Sequence, residues 1–130
     1  MKKLLLIALM TCSFGAYADE LTPEQVKAKE DACRKDLDCF AQPYFGYAGI
    51  YCKEPIEKMA KYDFRWKDKF LSPKFIKAKW LDEKKGTLSF FGDKLQFQNG
   101  FGAYQNMYYK CEFDPSEKKV LAVYVQPQQQ

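Results

Sequence analysis

The sequence predicts an α+β fold stapled by two disulfides, and three observations predict it. Helix signals gather in the first half of the chain, and apolar residues alternate with a period of two beyond about residue 75. Four cysteines remain once an N-terminal export segment is set aside. Helices followed by strands on short turns imply two N-terminal helices, the second packed across an antiparallel meander of about four strands.

Residues 1–18 read as a signal peptide. Lys2 and Lys3 precede the apolar run Leu4–Met10, and Ala16-Tyr17-Ala18 is a small-x-small cleavage site before Asp19. Thr11 stands where a lipid-anchoring motif at Cys12 would need a smaller residue. The expected product is therefore periplasmic or secreted and soluble, a single domain over 19–130. Removing Lys2 and Lys3 lowers the formal charge from +4 to +2, so global charge selects no partner. No later run approaches the length needed to span a bilayer, so no transmembrane segment is expected in the mature chain.

Cys33, Cys39, Cys52 and Cys111 allow three disulfide connectivities. Cys33–Cys39 with Cys52–Cys111 is the favoured pair, the first closing a local loop and the second joining a helix to the sheet. A metal site is the rival reading, but the spacings lack a C-x2-C knuckle and histidine is absent. No metal and no cofactor is expected.

The first helix starts at Leu21-Thr22-Pro23-Glu24-Gln25-Val26. Thr22 can cap, Pro23 suits the first helical position and Gln25 completes a capping box, with the helix running to about Leu37. A second helix is expected from near Pro43 to near Tyr62, where Phe45, Ala48, Cys52, Ile56, Met59 and Ala60 fall at helical spacing. Pro55 either kinks it or opens a separate helix. Residues 62–74 are irregular, with Ser72-Pro73 a turn. Ile76, Ala78 and Trp80 then alternate with lysines in a first strand, and Lys84-Lys85-Gly86 turns the chain. A second strand covers Thr87–Phe91, and Gly92-Asp93 is a bulge or tight turn ahead of the alternating Leu95 and Phe97. Ala103–Phe113 and Val120–Gln126 are the remaining strands around the Asp114-Pro115-Ser116-Glu117 turn, and 126–130 is a frayed tail.

The residue inventory argues against an enzyme. Without histidine, a serine–histidine triad cannot form, and bridged cysteines leave no thiol nucleophile. The glycines of Asn99-Gly100-Phe101-Gly102 lack the Gly-Lys-Ser/Thr of a phosphate-binding loop. Asp82, Glu83, Asp93, Glu112 and Asp114 could supply a glycosidase pair, but no spacing selects two of them.

Two stretches suit binding instead. The corner from Asp93 to Gln105 offers Lys94, Gln96, Gln98 and Asn99 together with Phe101, Tyr104 and Gln105. Aromatic anchors beside amides suit a protein partner. Its alternative is structural, with Phe97 and Phe101 packed inward and Asn99-Gly100 a plain turn. The segment 61–80 interleaves Arg65, Lys67, Lys69, Lys74, Lys77 and Lys79 with Trp66 and other rings, Tyr62, Phe64, Phe70, Phe75 and Trp80. Basic groups among rings suit single-stranded nucleic acid, and equally an anionic lipid surface. The plainer reading puts the rings in the core and the lysines in solvent.

Gly92-Asp93-Lys94, the run Phe97-Gln98-Asn99-Gly100-Phe101-Gly102-Ala103, Gln105, and Tyr109 two residues before Cys111 resemble an uncharacterised family of small bacterial proteins. Upstream, Cys52, Ile56 and Glu57 followed by Ala60-Lys61-Tyr62 match the same pattern, so the likeness spans roughly residues 50–125. The resemblance implies one domain and a Cys52–Cys111 bridge, and carries no function. The expected partner is a protein, with a nucleic acid or anionic lipid as the alternative.

Overall fold

The computed structural model describes residues 21–69 and 72–129; the expected signal peptide and Phe70 lie outside the described residues. Helix α1 (Pro23–Cys33) begins where the capping signals place it. The Gln25 N–H donates to Thr22 Oγ1 at 3.2 Å, and the Thr22 N–H donates back to Gln25 Oε1 at 2.9 Å. The helix stops four residues before the expected end at Leu37. Asp36 starts a new helix, α2 (Leu37–Ala41), by accepting the N–H groups of Asp38 and Cys39 at 3.1 and 3.3 Å. No residue of α1 is buried, whereas the turn sends Phe40 and Ala41 of α2 into the core. The Cys33–Cys39 disulfide ties the two together.

The single helix expected over 43–62 is two, α3 (Tyr44–Tyr51) and α4 (Lys53–Glu57), joined at Cys52. Pro55 is the third residue of α4, in the first turn, where its missing N–H removes no bond from within that helix. The described chain thus has four helices rather than two.

The sheet is antiparallel and has five strands: β1 (Phe64–Trp66), β2 (Lys77–Asp82), β3 (Thr87–Gln98), β4 (Tyr104–Asp114) and β5 (Lys119–Pro127). Strand β3 organises it. Its first half pairs with β2 and its second with β1 along one edge, while β4 and then β5 follow on the other. Gly92 lies at a register shift between β3 and β4, so the bulge continues one strand instead of ending it. It is glycine because a Cβ there would collide with the Tyr109 ring and the Lys74 carbonyl oxygen. Strand β1 was not expected, although Phe64 and Trp66 flank Arg65 with the alternation of a half-buried strand. The tail is also less free than expected. Gln126 and Pro127 belong to β5, and Gln128 donates its N–H to Asn106 O at 2.9 Å and its amide to Met107 O at 3.1 Å.

The inner face of the sheet makes the core. Leu88, Phe90 and Leu95 of β3 and Met107, Tyr109, Cys111 and Phe113 of β4 pack with Phe40, Ala41, Ala48, Cys52 and Ile56 of the helices. Phe75, from the loop before β2, fills the same cluster, 5.5 Å from the Tyr109 ring and 5.6 Å from that of Phe90. Each fully buried side chain of this size contributes about 1.5–3 kcal/mol. At the centre the Cys52–Cys111 disulfide joins the α3–α4 junction to β4, with both cysteines fully buried. The fold is α+β with both expected disulfides.

Candidate binding surface

The β3–β4 hairpin is built around Asn99. Its side-chain oxygen accepts the N–H groups of Phe101 at 2.9 Å and Ala103 at 3.1 Å, and its own N–H donates to Ala103 O at 2.7 Å. Gly102, at φ 83°, takes the left-handed conformation that glycine adopts without strain. Gln98 closes the loop by donating to Gly102 O at 3.3 Å. Asn99 and Gln98 are thus engaged in holding the turn. Phe101, 99% exposed, projects from it into solvent and does not pack inward; Phe97 packs against the core.

The rest of the corner divides. Gln96 donates to Asn106 Oδ1 at 2.9 Å on the outer face of the sheet, while Gln105 pairs with Phe97 and takes the opposite parity. Lys94 sits in the bulge with its ammonium 3.4 Å from Asp93. Tyr104 donates to Asp63 at 2.6 Å and lies beneath the Arg65 guanidinium, 3.5 Å from its ring centroid. The Tyr104 hydrogen bond holds the Asp63 carboxyl below its usual range, and the same bond raises the Tyr104 phenol.

Most rings of the 61–80 segment are turned away from its cations; Tyr62 is the exception, exposed with the Lys61 ammonium 5.6 Å from its ring. Trp66 turns to the inner face, where Nε1 donates to Glu57 at 2.9 Å and the ring meets Tyr109 edge-on at 5.3 Å. Lys74 is withdrawn too, paired with Asp68 at 2.9 Å and lying 4.1 Å over Trp66. Phe75 is buried, and Phe64 and Trp80 pack against the core. Arg65, Lys77 and Lys79 face outward, and Lys67 and Lys69 are exposed in the loop. A strand's period of two sorts neighbours to opposite sides, which a linear count of basic and aromatic residues does not register. Ile76, expected beside Ala78 and Trp80, is 60% exposed because it precedes the strand.

What the sequence reading missed is assembled across strands. Lys77, Phe91, Lys110 and Tyr124 pair in succession, one from each of β2, β3, β4 and β5, and form a single row on the outer face. Lys79 lies 5.6 Å from the Phe91 ring, and Lys110 lies 4.4 Å from that of Tyr124. Tyr108 and Gln126 form the adjacent pair. The outward positions of β4 and β5 carried this signal, but only their register with β2 and β3 brings the residues together.

Three of the candidate carboxylates have local partners. Asp82 accepts Lys85 N–H in the β2–β3 turn, and Asp114 accepts the N–H and hydroxyl of Ser116 in the β4–β5 turn. Glu112 pairs with Lys110 at 3.6 Å. Among the described residues no group of three or more histidine, cysteine or acidic side chains is placed to hold a metal ion. None of their helices is long and apolar enough to cross a membrane, and the two disulfides fit an oxidising compartment. Comparison with protein-family models, curated proteins and solved structures finds no match.

Proposed function

We propose that the chain is an exported, non-enzymatic module, of the accessory or inhibitor type, that engages another protein through the β3–β4 hairpin. The observation that carries this reading is Phe101, fully exposed on a turn that Asn99 cross-braces. An aromatic anchor held in advance of binding loses little conformational freedom on contact, which favours affinity. Gln105, exposed at the foot of the hairpin, supplies an amide hydrogen-bonding group near it.

A photo-crosslinking residue in place of Gln105 should join the oxidised protein to one discrete partner in an envelope extract. Phe101→Ala should weaken capture of that partner tenfold or more without moving the urea midpoint. Capture that survives Phe101→Ala unchanged would leave the hairpin a purely structural corner.

A further inference from the structure

We propose that the outer face of the sheet is a second binding site, and that its ligand is single-stranded nucleic acid. The face is open around Phe91 and Tyr124: the buried helical residues all join the inner-face cluster, and Lys77, Lys79, Tyr108, Tyr124 and Gln126 are exposed, whereas Thr87 and Ser89 toward the β2–β3 turn are buried. The Lys77–Phe91–Lys110–Tyr124 row alternates cation and ring across four strands. Beside it Phe91, Tyr108, Lys110, Tyr124 and Gln126 line a shallow groove of about 400 Å³.

Charge selects the sign of the ligand. Residues 61–129 hold thirteen Lys and Arg against eight Asp and Glu, whereas residues 21–60 hold six against seven. The excess positive charge therefore belongs to the sheet half of the molecule. Around the row Arg65, Lys77, Lys79 and Lys110 are opposed by Glu112, which pairs with Lys110, and by Asp63, which Tyr104 engages; Asp82, Asp114 and Lys119 lie at the turn end of the same face. Rings select the class. A sulfated polysaccharide or lipid headgroup needs the charge alone, whereas single-stranded nucleic acid uses both charge for the backbone and rings for the bases. Duplex DNA keeps its bases stacked inside and offers nothing to the rings. Four-stranded sheets that bind RNA through surface aromatics stack two or three bases, and three rings, Phe91, Tyr108 and Tyr124, line this groove, with Tyr104 farther along the face beneath Arg65. Gln96 and Asn106, hydrogen bonded to each other at 2.9 Å, lie farther along the same face with amide groups for base edges.

The site is separate from the hairpin tip, so its test is independent of the partner proposed above. The oxidised protein is titrated into a fluorescein-labelled twelve-residue oligo-dT, followed by anisotropy over a salt series. Saturable binding that weakens with salt is expected. Tyr124→Ala should weaken it about tenfold and Tyr124→Phe should restore it, since stacking needs the ring and not the hydroxyl. Lys77→Ala should lower the slope of log affinity against log salt by about 0.7. Phe101→Ala should change nothing. No binding at low salt would overturn the proposal. So would binding indifferent to Tyr124→Ala and matched by heparin, which would make the face a charge surface only. Preference for phosphatidylglycerol vesicles over the oligonucleotide would overturn it in favour of a membrane surface.

Discussion

The two faces of the sheet are made from alternate residues of the same strands and have opposite characters. On the inner face Phe90 and Tyr109 are almost fully buried, and even the lysine that reaches it from the preceding loop, Lys74, is paired with Asp68. On the outer face Lys79, Lys110 and Arg65 lie over Phe91, Tyr124 and Tyr104 at the solvent boundary. Both faces use rings and cations. The difference teaches that an aromatic residue here is structural or available according to its parity in the strand, whatever its neighbours in sequence. Trp66 and Arg65, adjacent in the chain, fall on opposite sides of that division.

The strongest way to break the contrast is to cut the inner face from its helices. Replacing Cys52 and Cys111 together by alanine opens a link spanning 59 residues and should cost about 4 kcal/mol in urea unfolding. The same change at Cys33 and Cys39, which span 6 residues beside a helix without buried side chains, should cost about 2 kcal/mol or less. Equal losses at the two sites would mean that α1 is as integral as the sheet.

Next comes Gly92→Ala. The added methyl meets both the Tyr109 ring and a backbone oxygen of Lys74, and the backbone cannot swing aside as a flexible side chain would. A loss of about 3 kcal/mol is expected, without change at the outer-face rings in oligonucleotide titration of the folded fraction. A loss below about 1 kcal/mol would show that the loop carrying Lys74 yields, and that the inner face is looser than its burial implies.

The smallest effect is a pH dependence to which both faces contribute. The Tyr109 hydroxyl donates to Lys74 O on the inner side, and burial raises its phenol above the ordinary value of 10.0. Burial, with the Glu30 hydrogen bond, likewise pushes Tyr44 up to about 12. The native state then holds protons that the unfolded chain releases above pH 10, so stability is full below pH 10 and falls as pH rises through the native values. On the outer side the lowered Asp63 works in reverse, with stability present above its ordinary pKa of 3.8 and lost as pH falls through the native value. Urea midpoints against pH should therefore decline at both ends. Tyr109→Phe should flatten the alkaline limb; an unaltered limb would remove Tyr109 as its source.

Much of this architecture was legible in the chain. Thr22, Pro23 and Gln25 announce α1 because capping is local chemistry, satisfied within three residues. The bulge at Gly92 and the turn at Asp114 were legible for the same reason, whereas β4 and β5 each end one residue beyond the expected position. Asp36 was not read as a cap, since its signal competes with helix-compatible residues on both sides. Strand β1 was hidden because three residues give too short a period to separate from a charged loop. In the hairpin, Asn99 was identifiable as a turn residue, but the direction of Phe101 was not, because the turn's hydrogen bonds decide it.

The class of fold and the start of α1 follow from the chain alone, because propensity and capping act over a few positions. Only the tertiary structure decided which rings are covered. Lys77, Phe91, Lys110 and Tyr124 are 14, 19 and 14 residues apart in the chain. They meet in one row because strand register, set by burial of the opposite face, aligns them.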